Sequence, residues 1–385
     1  MRKLSDTIIR LASLRNAPGM GAVPGGRLEG LEDFGWNPGA LRAHIYVPPT
    51  LCDGAALVVV MHGCTQTAAG YDVGAGWSEM ADRYGFALLF PEQQRQNNPN
   101  LCFNWFSPED SRRGSGEALS IRQMIDAVAS AHPIDPARIF VTGLSAGGAM
   151  ASVMLATYPE VFAGGAIIAG LPYGCASTIP QAFDRMRGHD VPPEAELAAL
   201  VRGASDHSGP WPTLSIWHGS GDSTVNPTNA DAIIAQWRAL HGVGLDPART
   251  EAVDGYPRRV WCNATGHEVT EEYSITGMGH GTPLDTAGEN GCGRSGAYML
   301  EASISSTRHI CRFWGLVSSD KHAIHARPAE AGTTRQNLAP ISGSKAVNEA
   351  PGAGIPTARP LFKAPAVGGV GKVIEDALRA AGLMR

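Results

Sequence analysis

The segment Gly-Leu-Ser-Ala-Gly at residues 143–147 is the part of this chain best suited to nucleophilic chemistry. A short apolar run at residues 139–141 precedes it, and small residues that can open a helix follow it. A serine held exposed on such a strand-to-helix turn can attack a carbonyl carbon, and Gly143 and Gly147 permit the sharp turn because they carry no side chain. The same five-residue pattern also suits a phosphate-binding or close-packed turn, so a catalytic Ser145 requires partners elsewhere in the chain.

An acid and a base follow Ser145 at positions where a parallel sheet would present them. Asp222 comes just after a predicted strand at residues 213–217, and His280 lies in a glycine-rich loop after a predicted strand at residues 272–276. Side chains that follow parallel strands meet at the carboxyl edge of the sheet. The order serine, acid, histidine is that of α/β-hydrolases and differs from the orders in chymotrypsin and subtilisin. We therefore predict that these three residues form a catalytic triad.

Other histidines and aspartates compete for these two roles. His267 and His309 are less well placed relative to the predicted strands, and the remaining histidines considered precede the acid or belong to other turns or helices: His62, His132, His207, His218 and His241. The alternative acids are Asp206, Asp231 and Asp254. Three residues in the required order after three predicted strands favour Ser145, Asp222 and His280.

A further predicted strand, residues 55–61, ends in His62-Gly63-Cys64. In serine esterases of the α/β-hydrolase fold, the loop after such a strand supplies one backbone N–H of the oxyanion hole, and the residue after the nucleophile supplies the other. The donors would then be the N–H groups of Cys64 and Ala146. The alternative is that His62-Gly63 only ends the strand.

Several segments together resemble the polyhydroxybutyrate depolymerase family of esterases, α/β-hydrolases related to feruloyl and acetylxylan esterases. The resemblance extends from about Leu41 to Leu316 and is much more specific than the serine pattern. The segments that carry it are residues 62–67 (HGCTQT), 91–93 (PEQ), 102–106 (CFNWF), 134–148 (IDPARIFVTGLSAGG), 158–163 (YPEVFA) and 277–280 (GMGH).

The resemblance implies an α/β-hydrolase fold, with a mostly parallel, doubly wound sheet, a nucleophile elbow and a small cap insertion. It maps the family's nucleophile, acid and base onto Ser145, Asp222 and His280, and it implies an ester or polyester substrate made of short hydroxyalkanoates. Alternative functions are a feruloyl or acetylxylan-type carbohydrate esterase, a peptidase or thioesterase, and a noncatalytic granule-associated protein. No cofactor is implied.

Two cysteine pairs are candidates for disulfide bonds. Cys64 and Cys102 fall within family motifs, on loops that follow adjacent predicted strands, and Cys175 and Cys292 form a second candidate pair. Neither pair has the close spacing typical of zinc ligands, so no metal site is predicted.

The stretch between residues 168 and 213 is long enough to form a small cap, since loops at the carboxyl ends of the strands build the pocket in this fold. Within it, residues 193–201 are predicted to be helical. Trp105, Phe106 and Tyr173 follow predicted strands and are candidates for the walls of an acyl pocket, although aromatic residues are more often part of the core.

The 385-residue chain divides into four predicted regions. These are an amphipathic N-terminal helix at 1–18, a catalytic domain at 19–318, a disordered linker rich in Ala, Pro and Gly at 319–371, and a short C-terminal helix at 372–385. The terminal helices could contact a granule surface or a second subunit.

Charge and hydropathy exclude two classes of partner. The net charge of −5 gives no basic footprint for nucleic acid, and no stretch approaches the apolar length of a membrane span. Residues 1–15 mix charges into their apolar positions and lack the uninterrupted core of a signal peptide, which predicts a cytoplasmic protein. An extracellular location is the alternative, because many members of the family are exported.

Overall fold

The computed structural model describes residues 26–317, and its central feature is a ten-stranded sheet. The strand order is β1-β2-β4-β3-β5-β6-β7-β10-β9-β8, and a separate pair is formed by β11 and β12. The strands have these bounds: β1 Glu29–Gly30, β2 Arg42–Tyr46, β3 Ala55–Met61, β4 Ala87–Glu92, β5 Ile134–Leu144, β6 Gly164–Ile168, β7 Thr213–Gly219, β8 Arg249–Val253, β9 Tyr256–Cys262, β10 Glu268–Ile275, β11 Thr282–Leu284 and β12 Met299–Glu301.

The six central strands, from β4 across to β10, are parallel, and β1, β2, β9 and β8 extend the sheet with antiparallel pairs. Parallel strands need crossover connections, and helices supply most of them here. The helices are α1 Ala68–Ala75, α2 Trp77–Tyr84, α3 Gly116–Ala131, α4 Ala146–Thr157, α5 Ile179–Met186, α6 Glu194–Arg202, α7 Thr228–His241 and α8 Ser306–Phe313.

Two hydrophobic clusters cover the two faces of the sheet. Alternate residues of β3 divide between them: Leu57 and Val59 join one cluster, and Val58 and Val60 join the other. Strand side chains point alternately to opposite faces, so a strand buried on both faces has a continuous apolar sequence. All seven residues of β3 are buried accordingly. This doubly covered parallel sheet is the α/β-hydrolase architecture that the sequence predicted.

The predicted disulfide between Cys175 and Cys292 is wrong. Both cysteines are buried and free. Cys175 belongs to the cluster on the face that Leu57 joins, and Cys292 belongs to the cluster on the opposite face, where its Sγ lies 3.4 Å from Ser305 Oγ. The sheet therefore separates the two thiols.

The insertion between β6 and β7, which was predicted to form a small cap, contains α5 and α6. The helix predicted at residues 193–201 corresponds to α6, and it packs on α7 through Leu197 and Val201, which are part of the core. The Gln236 side chain of α7 donates a hydrogen bond of 2.9 Å to the Leu197 carbonyl. The α6 part of the insertion is thus joined firmly to the helical layer.

Three predicted regions lie outside the described residues: the N-terminal helix at 1–18, the linker at 319–371 and the C-terminal helix at 372–385. Within residues 26–317, no helix has the length and apolar character needed to cross a membrane.

Glu117, in the first turn of α3, is a fully buried carboxyl group. Its burial and the nearby Asp110 carboxylate raise its pKa from 4.5 to about 8. The folded protein therefore binds this proton more tightly than the unfolded chain does. Its contribution to stability is fully present below pH 4.5 and is lost as the pH rises through about 8.

We expect the melting temperature to fall less between pH 5 and pH 8 in Glu117→Gln than in the unaltered protein, because the variant lacks this titration. Thermal unfolding followed by circular dichroism at several pH values would measure both slopes. Parallel curves for the two proteins would contradict the assignment.

Candidate active site

Ser145 occupies a strained turn between β5 and α4. Its φ of 57° and ψ of −117° lie in a region that a residue with a side chain rarely adopts. Two backbone hydrogen bonds hold it there: its N–H donates to Ile168 O at 2.9 Å, and its carbonyl accepts from Ala149 N at 2.8 Å. These bonds hold Ser145 in its strained conformation at the carboxyl end of the central strand β5.

The two glycines that flank Ser145 are required by close backbone approach. A Cβ atom at Gly143 would overlap the Gly147 carbonyl group. A Cβ atom at Gly147 would overlap the carbonyl oxygens of Met61 and His62. The turn thus packs directly against the end of β3, where the loop that contains Cys64 begins.

Asp222 and His280 form a hydrogen-bonded pair after β7 and β10. His280 Nδ1 lies 2.7 Å from Asp222 Oδ2, while Asp222 Oδ1 accepts the N–H groups of Thr224 at 2.8 Å and Val225 at 2.9 Å. Burial alone would raise the pKa of Asp222, but hydrogen bonds from His218 and His280 outweigh it and hold this pKa well below its ordinary value. Asp222 is therefore ionised at neutral pH and orients the His280 ring.

The loops that carry Asp222 and His280 are joined by backbone hydrogen bonds. Ser220 N donates to Ile275 O at 3.0 Å, and Gly221 N donates to Met278 O at 2.9 Å. The Ser220 hydroxyl accepts the Gly277 N–H at 2.9 Å. Because β7 and β10 are neighbours in the sheet, these bonds fix the acid and the base relative to one another.

His218, at the end of β7, also contacts the acid and was missed as a site residue. Its Nε2 lies 2.8 Å from Val225 O and 3.4 Å from Asp222 Oδ2. The shorter contact is to a carbonyl oxygen, so Nε2 carries a hydrogen, and the ring packs beside Asp222 as a supporting residue. Its position four residues before the acid was the only sequence signal.

The competing acids and bases lie elsewhere. His309 pairs with Asp254 at 2.8 Å, and both His309 and His267 line a cavity of about 580 Å³ together with Thr213, the first residue of β7. That cavity is therefore at the amino edge of the sheet, opposite Ser145. Two alternative aspartates remain: Asp231 pairs with Arg259, and Asp206 is exposed.

Both predicted oxyanion donors are available. In the described part of the chain, neither the Cys64 N–H nor the Ala146 N–H donates a hydrogen bond to another protein group. Ala146 is the first residue of α4, whose N–H has no acceptor within the helix. Two backbone donors that no described residue engages, one on the loop after β3 and one at the start of α4, are suited to bind a developing negative charge.

The loop that carries Cys64 is held from both sides. Cys64 is bonded to Cys102 in a disulfide, and Thr65 N donates to Asn100 O at 2.7 Å. On the other side, the Gln66 side chain accepts the Gly63 N–H at 2.8 Å. The disulfide is one of the two cysteine pairings predicted from the sequence.

Removing this disulfide is expected to lower both stability and turnover. The bond spans 38 residues, so its loss in Cys102→Ser should cost about 4 kcal/mol of unfolding free energy through the freed unfolded chain. Turnover should fall because the loop that carries the Cys64 N–H loses a covalent anchor. Urea unfolding and ester hydrolysis would measure the two effects.

Cys52→Ser is the matched control, because Cys52 is exposed and free. It should leave stability and turnover unchanged. A Cys102→Ser variant with the stability of the unaltered protein would show that the disulfide contributes nothing.

The three aromatic pocket candidates belong to, or pack against, the hydrophobic cluster on the face that Leu57 joins. Trp105 is buried in the core and packs edge-to-face on the half-buried Phe106 at 5.5 Å. Tyr173 lines a cavity of about 540 Å³ beside α6, with Arg112 and Leu200. Among the described residues around that cavity, none belongs to the Ser145, Asp222 and His280 group.

Tyr298 is a second site residue that the sequence did not indicate. Its ring lies edge-on to the His280 ring, with centroids 6.0 Å apart, and its φ of 63° is strained. Burial raises the pKa of its hydroxyl, and the nearby Thr65 side chain opposes this effect. Tyr298 therefore lies beside both the base and a residue of the loop that carries Cys64. Within residues 26–317 no cluster of three metal-ligating side chains is present.

Comparison with known proteins identifies the family. Residues 41–253 match the family model described as esterase PHB depolymerase. The chain is 46% identical over 317 residues to poly(3-hydroxyalkanoate) depolymerase C of Paucimonas lemoignei, and the alignment covers 81% of this chain and 76% of that protein. It is 31% identical over 266 residues to feruloyl esterase B of Talaromyces stipitatus, and this alignment covers 67% of this chain and 73% of that protein.

A solved structure shows the same fold. The acetyl xylan esterase from Aspergillus awamori superposes with a TM-score of 0.65 at 27% identity, over 76% of this chain and 100% of that chain. Together with the family match and the doubly covered parallel sheet, this shows that the chain is a carboxylic ester hydrolase of the α/β-hydrolase fold and belongs to the esterase PHB depolymerase family.

Proposed function

We propose that this esterase hydrolyses esters of short hydroxyalkanoates, with Ser145 as nucleophile, His280 as general base and Asp222 as the acid that orients it. The observation that carries the proposal is the 2.7 Å hydrogen bond between His280 and an ionised Asp222, at the sheet edge that also presents the strained Ser145. The same edge carries the N–H groups of Cys64 and Ala146, which have no acceptor among residues 26–317.

In the first step, the Ser145 hydroxyl attacks the ester carbonyl while His280 Nε2 takes its proton. The hydrogen bond between Nδ1 and Asp222 places the ring hydrogen on Nδ1 and leaves Nε2 free to accept. The ionised carboxylate also stabilises the imidazolium that forms. His280 then returns the proton to the leaving alcohol, and an acyl-enzyme on Ser145 remains.

The Cys64 and Ala146 N–H groups receive the negative charge that develops on the carbonyl oxygen. Each fixed donor of this kind lowers the barrier by about 3 kcal/mol in related chemistry, since it needs no reorganisation during the reaction. In the second step, His280 activates a water molecule that attacks the acyl group by the same route and frees Ser145.

The hydroxyalkanoate class is supported by the pattern of similarity. Identity to the P. lemoignei depolymerase is 46%, against 31% to feruloyl esterase B. A direct test compares kcat/KM for a hydroxybutyrate oligomer, methyl ferulate and acetylated xylan, with Ser145→Ala as the blank for each substrate. We expect the oligomer to be the best substrate. Faster hydrolysis of methyl ferulate or acetylated xylan would replace the hydroxyalkanoate class with a carbohydrate esterase function.

A further inference from the structure

A buried polar cluster lies behind the loop that carries Cys64. We call residues 62–65 the oxyanion loop, and Gln93, Asn104 and Glu117 the Glu117 cluster. Glu117 is on α3, Gln93 follows β4, and Asn104 lies on the segment between them, two residues after Cys102. The proposed mechanism does not use these side chains.

The Glu117 carboxyl group accepts three hydrogen bonds. Its Oε1 accepts Gln93 Nε2 at 2.5 Å and Asn104 Nδ2 at 2.8 Å, and its Oε2 accepts the Asn104 backbone N–H at 2.9 Å. A carboxylate can accept all three bonds. A protonated carboxyl can accept them too, with two on the carbonyl oxygen and one on the hydroxyl oxygen.

Gln93 connects this carboxyl group to both anchors of the oxyanion loop. Its Nε2 also donates to Cys102 O at 3.1 Å, so it holds the residue that is disulfide-bonded to Cys64. Its backbone N–H donates to His62 Nε2 at 3.2 Å. The side chain of Gln93 therefore contacts the disulfide partner of Cys64, and its backbone contacts His62 at the start of the oxyanion loop.

His62 completes the connection. Its Nδ1 lies 2.8 Å from Gly63 O, and Nε2 accepts from Gln93, so the ring carries its hydrogen on Nδ1 and donates it to the Gly63 carbonyl. Burial lowers the pKa of His62, which keeps the ring neutral. The Gly63 carbonyl belongs to the same peptide unit as the Cys64 N–H, so the hydrogen bond from His62 fixes the direction of that N–H.

We propose that Glu117 is a positioning residue for the oxyanion hole, acting through Gln93 and His62 to set the orientation of the Cys64 N–H. The proposal rests on the proposed catalytic role of that N–H. Glu117 does not touch the reacting atoms. Its function is to provide the acceptor on a rigid helix against which Gln93 and the segment around Cys102 are fixed.

Glu117→Gln tests this role with little change in shape. A glutamine side chain keeps one acceptor oxygen but places an NH₂ group where Oε2 accepts the Asn104 N–H, so two donors would face each other. The side chains must then rotate, and Gln93 loses its fixed orientation. We expect kcat for p-nitrophenyl butyrate to fall about tenfold, less than the loss of a whole oxyanion donor, while KM changes less than twofold.

The Ki of a reversible trifluoromethyl ketone inhibitor distinguishes a positioning role from a merely structural one, which would leave this Ki unchanged. The adduct of this inhibitor with Ser145 places an oxyanion in the hole, so its Ki should rise by the same factor by which kcat falls. Glu271→Gln is the matched control, because Glu271 is an equally buried carboxyl on β10 that contacts Ser215 and Arg258. The control should be destabilised but retain kcat and Ki in its folded fraction.

A double variant separates this route from an unrelated defect. If Glu117 acts through Gln93, the losses of kcat in Glu117→Gln and Gln93→Ala should not multiply in the combined variant. Multiplying losses, or a folded Glu117→Gln variant with unchanged kcat and Ki, would overturn the proposal. Failure of the proposed mechanism would appear separately, as activity on p-nitrophenyl butyrate that survives Ser145→Ala.

Discussion

Replacing Ser145 with alanine is expected to reduce kcat for p-nitrophenyl butyrate by about 10⁶-fold, as nucleophile removal does in other triads. The effect is large because the acyl-enzyme can no longer form. The oxyanion N–H groups of Cys64 and Ala146 can then only assist direct attack of water on the ester. The fold should be preserved, because the backbone bonds of residue 145 to Ile168 and Ala149 do not involve the hydroxyl. Steady-state hydrolysis and a melting curve would measure the two properties.

Ser152→Ala is the matched control for this experiment. Ser152 lies two turns further along the same helix, is buried, and donates its hydroxyl to Leu171 O at 2.8 Å. Its loss should cost about 1 kcal/mol of unfolding free energy and leave turnover intact. If Ser145→Ala retained most of the activity, the nucleophile would have to be another residue.

The central sheet could be predicted because its strands are buried on both faces. β3 is a continuous apolar run and β7 is buried from Leu214 onward, and their ends coincide closely with the predicted strands at 55–61 and 213–217. The edge strand β8 and its neighbour β9 could not be found this way. Their sequences are rich in charged residues that resemble a loop, and the ion pairs of Arg258 with Glu251 and Glu271 form only once β8, β9 and β10 are paired.

The acid and the base could be predicted by chain order, but their surroundings could not. Asp254 and His309 also form a hydrogen-bonded pair, and only the sheet topology shows that their cavity lies at the opposite edge from Ser145. The sequence alone offers Cys175 with Cys292 and Cys64 with Cys102 as disulfide candidates of the same kind. Only the sheet, which lies between Cys175 and Cys292, distinguishes the two pairs. Glu117 has the sequence signature of an ordinary first-turn helix carboxylate, so its role appears only once its three donors are located.

The Asp222→Asn variant should lose about 10⁴-fold in kcat while its structure is retained. Asp222 Oδ1 accepts two backbone N–H groups, from Thr224 and Val225, so an asparagine must direct its carbonyl oxygen toward them. Its NH₂ group then faces His280 Nδ1 and donates to it. The ring hydrogen moves to Nε2, which can no longer accept the proton of Ser145.

Asp254→Asn is the matched control, since it changes the other aspartate that is bonded to a buried histidine, His309. It should keep full turnover on p-nitrophenyl butyrate. The Asp222→Asn loss should also persist at high pH, because the tautomer is set by the amide and not by titration of the ring. An Asp222→Asn enzyme with normal kcat, or a large loss in Asp254→Asn instead, would show that the 2.7 Å contact between Asp222 and His280 is not catalytic and would assign the acid role to another residue.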